Sequence, residues 1–281
     1  MTATPVTVTY LGTASPGTTT PGTASPVTAT PVTVTYLGTA TVLLRIGDLT
    51  ILTDPALDQQ PGEYPAARPL RRTAGAAFGA DQLPPVDLVL LSHDQHADNL
   101  DHAGREVAAR AGAVLTTPEA AARLGGRATG LAPWESVRTT AGATTVTVTA
   151  TPARHGPAGT EPVTGPVTGF VVEYEGGTLY FSGDTTRHAA LDGIAERFAV
   201  DTAFLHLGDA HFPATGELAF SLSAADGAEL ARTLGARQVV PLHFDSWEHF
   251  VEDPARIAEA FAAAGLADRL RRLPPGTAEL L

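Results

Sequence analysis

There is no cysteine among the 281 residues. That excludes disulfides and thiolate chemistry, so a metal here would have to be held by His, Asp, Glu or Asn. Positive charge is also scarce: eighteen Arg and Lys stand against thirty Asp and Glu, a net charge of −12. Such a chain offers no basic face to replace phosphate counterions, which argues against a nucleic-acid partner. No apolar run approaches the roughly 20 residues needed to span a bilayer, so no membrane span is expected. The N-terminus lacks the basic start and apolar stretch of a secretory signal. A G-x-S-x-G motif is missing, and a serine hydrolase finds no support. These absences point to a soluble, cytoplasmic protein acting on a small molecule, with homo-oligomerisation left open.

What is present begins with a repeat. Thr2–Ala14 reads TATPVTVTYLGTA, and the same letters return at Thr28–Ala40. Between the copies lies a Thr/Pro/Gly/Ser segment, and no charged side chain appears before Arg45. A solenoid would repeat throughout the chain, and this one does not. The plainer reading is a duplicated extension over residues 1–30, expected to be disordered because it cannot bury a face, followed by one domain over 31–281, with a stray edge strand as the alternative for the first copy. From Val32 onward, short β-branched runs (VTVTYLG, TVLLRIG, LTILTDP) are separated by Gly-containing turns and read as antiparallel strands. Asp87–Ser92, Thr202–Leu207 and Gln238–Leu242 are apolar runs of the kind buried on both faces of a sheet. Helices are expected over 100–111, 118–124, 189–198, 224–234 and 254–264. Strands in both halves with helices between them predict an α/β fold, a four-layer αββα sandwich of two mixed sheets.

The densest polar cluster, SHDQHADNLD at Ser92–Asp101, follows directly on a buried strand. Strand C-termini are where α/β sheets gather ligands. So many carboxylates and imidazoles repel or desolvate one another unless a cation joins them. His155 in TPARHGP, Asp184 in YFSGDT and His243 in VVPLHF each stand at a further strand end. Any one of them alone could be a helix cap. Four strand ends supplying donors point to one shared rim. Candidate pocket residues are His188, His206, Asp209, His211 and Trp247, an aromatic and polar set of the kind that lines small-molecule sites. His188 and Trp247 could equally begin helices.

These segments, taken in order from Val32 to the last helix, resemble the metallo-β-lactamase superfamily. TDPAL, TPARH, GFVVE with LYFSGDT, and PLHFDSW are similar to the branch of ascorbate-6-phosphate lactonase and N-acyl-phosphatidylethanolamine phospholipase D. The resemblance implies one or two divalent ions, Zn, Mn or Fe, at the upper edge of the sandwich. The central motif departs from the family's His-x-His-x-Asp-His. A start at Asp94 matches His96 and Asp98 and leaves Asp94 and Asn99 as replacements. Alternation in an extended segment favours that register, with His93 and Gln95 pointing away. Carried over, the resemblance places Asp94, His96 and His155 at a first metal, and Asp98, His243 and Asn99 at a second, with Asp184 bridging. Asn99 could instead cap the helix expected at Leu100. Asp54 and His93 would support the ligands from behind, although Asp54 could simply shape its turn. The oxygen-rich set shifts preference from zinc toward Mn or Fe. Such a site implies hydroxide generated at neutral pH to attack an ester, lactone or phosphodiester, with Asp98 orienting the nucleophile. The alternative is a metal-binding scaffold of the same fold without efficient catalysis.

Overall fold

A computed structural model of the chain describes residues 6–13, 30–65 and 69–281. Its strands are β1 (Thr7–Thr13), β2 (Val32–Gly38), β3 (Thr41–Ile46), β4 (Leu49–Thr53), β5 (Gly62–Tyr64), β6 (Leu70–Arg72), β7 (Leu88–Leu90) and β8 (Ala113–Thr116). They continue with β9 (Ala128–Gly130), β10 (Glu135–Ala141), β11 (Thr144–Pro152), β12 (Thr168–Tyr174), β13 (Gly177–Phe181), β14 (Thr202–His206), β15 (Gln238–Leu242) and β16 (Ala278–Leu280). The α-helices are α1 (His102–Arg110), α2 (Pro118–Leu124), α3 (Glu161–Thr164), α4 (Asp192–Ala195), α5 (Ala224–Leu234) and α6 (Pro254–Ala263).

Two seven-stranded sheets result, β16-β2-β3-β4-β7-β8-β9 and β1-β10-β11-β12-β13-β14-β15, with β5 and β6 as a separate hairpin. Both sheets are mixed. The hairpin-linked strands β2–β3–β4 and β10–β13 pair antiparallel, and β4–β7–β8–β9 and β13–β14–β15 pair parallel. The parallel strands carry the continuous apolar runs, as burial on both faces requires. Val34, Leu44, Ile51, Val148, Phe170 and Phe204 fill the space between the sheets. Val107 and Ala108 of α1 cover Val89 and Val114 on one outside face. On the other face Ile194, Leu230 and Phe261 from α4, α5 and α6 cover Tyr180 and Leu205. Each such fully buried side chain contributes about 1.5–3 kcal/mol. The expected α/β sandwich of two mixed sheets with outer helices is the observed fold. Among the described residues, no helix is long and apolar enough to cross a membrane.

The N-terminal expectation needs correction. Thr7–Thr13 of the first repeat copy is not outside the fold: it pairs antiparallel with Glu135–Thr140 as an edge strand. Val6 and Val8 pack against the core between the sheets. The second copy supplies β2, paired on both sides. Tyr36 and Leu37 there are 2% and 1% exposed, whereas their counterparts Tyr10 and Leu11 are 56% and 44% exposed. The rest of the extension lies outside the described residues.

Candidate metal centre

Strands from both sheets end at one rim. β4 delivers Asp54, β7 the segment 92–99, β11 His155, β13 Asp184, β14 His206 and β15 His243. Asp54 and His243 have positive φ, 31° and 57°, a left-handed backbone that non-glycine residues adopt at a cost and that recurs at functional sites. Gly183 also has φ +61°, and a Cβ there would meet the Thr168 carbonyl oxygen at 2.6 Å. Glycine at 183 therefore sets the turn that presents Asp184.

Two groups of donor atoms converge. His93, His96 and His155 form one, Asp184, His206 and His243 the other, each with its donor atoms within 4.8 Å of one another. His96 Nδ1 lies 3.0 Å from His93 Nε2 and 3.1 Å from His155 Nε2. The far sides of two rings are fixed: His93 Nδ1 meets Ser92 Oγ at 2.9 Å, and His155 Nδ1 meets the Phe220 carbonyl. Asp184 lies between the groups, with Oδ2 3.9 Å from His93 and 3.8 Å from His155. Its Oδ1 is 2.8 Å from His206 Nδ1 and 3.3 Å from His243 Nδ1. Asp98 Oδ2 is 3.4 Å from His243 Nε2 and 3.0 Å from His249 Nε2.

This donor set fits a cation. Three imidazoles facing one point, two of them buried and His96 half-buried, cannot all satisfy one another by hydrogen bonding, and both nitrogens of buried His243 lack a hydrogen-bond partner. Burial pushes the His155 imidazole down to about 4, and burial with its histidine neighbours holds His93 well below its usual range, so both are neutral and able to donate lone pairs. Burial works against ionisation of Asp98 and Asp184 too, but the surrounding histidines outweigh it and hold both carboxyls well below the usual range. At Asp54 burial, with Asp184 nearby, prevails over the Ser92 N–H and His243 and raises the carboxyl to about 8. Its Oδ1 accepts from the Ser92 backbone N–H at 2.7 Å, which anchors the start of the central motif.

The register expected for that motif does not hold. Residues 92–100 form turns rather than an extended run, with the Leu100 N–H donating to the His96 carbonyl. His93 consequently faces His96 across the donor group. The Asp94 carboxylate, expected to be a ligand, faces away and accepts from Arg123 Nε at 3.0 Å. Asn99 does not cap α1: Asp101 does, accepting from the Gly104 N–H. Asn99 is fully buried, and its amide nitrogen, oriented inward, donates to Asp98 Oδ1 and Asp184 Oδ2 at 3.3 and 3.1 Å.

Above the donors opens a cavity of about 410 Å³ whose floor includes His96, Asp98, His155, Asp184 and His243. None of the five expected pocket residues lines it. His206 is the last residue of β14, and its ring is buried against Asp184 instead of lining the wall. His188 turns back to the Thr186 carbonyl, and Asp209 pairs with His211. Trp247 is buried behind the wall, donating from Nε1 to Thr39 Oγ1 and packing on Tyr64. The wall is built instead by Leu70, Val163, Phe212, Leu218, Phe220 and His249. Sequence reasoning passed over His249, which follows no strand; its signal is proximity to His243 within HFDSWEHF.

A family model described as "Beta-lactamase superfamily domain" matches residues 50–244. A "UPF0173 metal-dependent hydrolase" of Pelotomaculum thermopropionicum is 29% identical over 250 residues, covering 86% of this chain and 96% of that relative. Another of the same name, from Methanosphaerula palustris, is 30% identical over 181 residues, 62% of this chain and 75% of the relative. Among solved structures, the isothiocyanate hydrolase from Delia radicum gut bacteria superposes with a TM-score of 0.73 at 22% identity, covering 88% of this chain and 98% of that one.

Proposed function

We propose, from the premise that this chain belongs to the β-lactamase superfamily and within it to the UPF0173 metal-dependent hydrolases, that it cleaves a small uncharged ester or lactone. One observation carries this reading: among the described residues, the wall over the donor-lined floor contains no Arg, Lys or Glu. A phosphodiester or a substrate with a free phosphate would find no cationic side chain there to neutralise it. The narrower likeness to ascorbate-6-phosphate lactonase fits lactone chemistry, whereas a phospholipase D cleaves a phosphodiester; the lack of Arg and Lys among the described lining residues speaks against that class and against a phosphate handle here. An isothiocyanate is also small, uncharged and electrophilic at carbon, so it belongs among the probes.

In this reading His93, His96 and His155 hold one divalent ion and Asp98 and His243 a second, with Asp184 between them. A divalent ion there supplies Lewis acidity and makes water nucleophilic at neutral pH. Three imidazoles suit zinc, whereas the carboxylate-richer group also suits Mn or Fe. Asp98 faces the cavity floor and is placed to orient the attacking water and accept its proton. Asn99 and His249 donate to Asp98 and fix its plane, and Asn99 also donates to Asp184. The apolar wall excludes bulk water, which strengthens every charge interaction on the floor. The two motif changes that suggested an inert scaffold lose their force: Asp94 lies outside the donors, and Asn99 holds the carboxylates as a donor.

Metal analysis of purified protein tests the ligand set. His93→Ala is expected to lose one equivalent of metal, and Asp94→Ala to keep wild-type content. The opposite pattern sinks the assignment. A screen of lactones, p-nitrophenyl esters, aryl isothiocyanates and bis-p-nitrophenyl phosphate tests the substrate class, with fastest turnover of the phosphodiester as the result against it.

A further inference from the structure

Single exposed apolar side chains are ordinary on protein surfaces; contiguous ones at a cavity mouth mark what the cavity takes. Among the described residues, six large hydrophobic side chains are exposed, and two of them, Val163 at 85% and Leu218 at 44%, stand at the rim of this one cavity. They come from different loops, Val163 from α3 and Leu218 from the segment after Phe212. Below them the apolar surface continues inward. Phe212 meets Phe220 edge-to-face at 5.6 Å and stacks on His249 at 5.1 Å, and Phe220 in turn meets His155 at 6.2 Å. These ring contacts run without a break from the wall down to the donor group. Leu70 of β6 completes the wall.

A substrate consisting only of a small acyl group would leave most of this surface wet. From the cavity, its apolar rim and the lack of Arg and Lys among its described lining residues, we infer that the substrate carries an uncharged alkyl arm that lies from the donor floor along Phe220 and Phe212 to Val163 and Leu218. This rests on the ester or lactone reading of the floor, but the arm can be tested apart from the chemistry. The reactive carbonyl sits over Asp98, and the arm gives binding energy by leaving water. Affinity should rise with each methylene until the cavity is filled, by roughly three- to fourfold for each one buried. A charged or phosphorylated arm should be disfavoured, because besides His249 the described lining offers it only the neutral side chains of Gln95, Thr160, Thr164 and Thr215, and no Arg or Lys.

The metal-loaded protein is titrated by calorimetry with 2-butanone, 2-hexanone and 2-octanone, which bind without being hydrolysed. In parallel, kcat/KM is measured for p-nitrophenyl acetate, butyrate, hexanoate and octanoate. The expected result is a rise in both series from the shortest to the longer members. In Val163→Asp and Leu218→Asp, both at exposed positions where folding can be checked by melting temperature, the rise with chain length should flatten. Flat or falling ketone affinity overturns the alkyl arm, whatever the turnover. Rising ketone affinity with no ester or lactone hydrolysis keeps the arm and overturns the reaction assigned to the floor.

Discussion

His93 and Asp94 leave the backbone in different directions because the chain turns beneath them, and Arg123 completes the separation by taking the Asp94 carboxylate. Arg123 is 47% exposed at its side chain, so solvent screens the pair and Asp94→Ala should cost under about 1 kcal/mol. His249 is different. Its Nε2 is 3.0 Å from Asp98 Oδ2 and its other nitrogen is buried without a partner. We expect His249→Ala to lower kcat about 10- to 100-fold, the usual effect of removing a group that orients a liganding carboxylate, with partial recovery in His249→Gln. Equal kcat in wild type and alanine variant would remove His249 from the mechanism. Acid should unfold the metal-free protein for a reason visible at single residues. Burial lowers His155 from 6.5 to about 4 and lowers His93 and His206 as well. The unfolded chain thus binds more protons in that interval, and stability falls as pH drops from 6.5 toward 4. Asp98 and Asp184, held below 3.8, lose their contribution at still lower pH. His243 opposes the trend: burial would lower it, but Asp184 and Asp98 raise it, so its contribution is full below 6.5 and lost as pH rises. His188 is lowered too, so four depressed histidines stand against His243 and against Asp54, which burial raises to about 8. A melting temperature of the metal-free protein that is constant or rises on acidification from 6.5 to 4 would contradict this account.

Among the elements, β1 gives the clearest test. It covers the edge of β10, brings Val6 and Val8 onto the core and lets the Tyr10 hydroxyl donate to Glu135. Removing residues 1–13 should cost on the order of 1–3 kcal/mol, since the two valines are only partly buried. For a chain of this size that is roughly 3–8 °C in melting temperature. Metal content should not change, because β1 lies at the opposite edge of its sheet from β14 and β15. An unchanged melting temperature would show that the edge strand contributes nothing. The elements that the sequence predicts best are those closed by local chemistry. α2 starts at Pro118 behind the Thr117 cap, and α5 at Ala224 behind the Ser223 cap with Gly235 closing it. β15 is legible as an apolar run over its full length. The strand ends that carry His155, Asp184 and His243 to one rim could likewise be read. What could not be read depends on distant partners. Nothing local distinguishes a turn from an extended run at 93–98, and identical letters cannot say that one copy is buried and the other lies at an edge. His206 and Trp247 have pocket-like chemistry, but Asp184 and Thr39, far away in sequence, draw them into the interior.

For the whole molecule, the two copies raise a question of timing. The first copy leaves the ribosome first, yet Tyr10 must wait for Glu135, 125 residues downstream. The second copy meets β3 across the tight Gly38–Thr41 turn. A hairpin closes in about 1–10 μs, while synthesis proceeds at about 5–20 residues per second. β2 and β3 are therefore paired seconds before β10 exists. Were the first copy to take the place beside β3, it would close a loop 26 residues longer (Val32 minus Val6). Against a two-residue turn, that costs on the order of 2 kcal/mol in chain entropy. Both copies precede β3 in the chain, so they compete for it alike during synthesis and on refolding. Loop entropy is what assigns two indistinguishable strands to different sheets, and it does so in either setting.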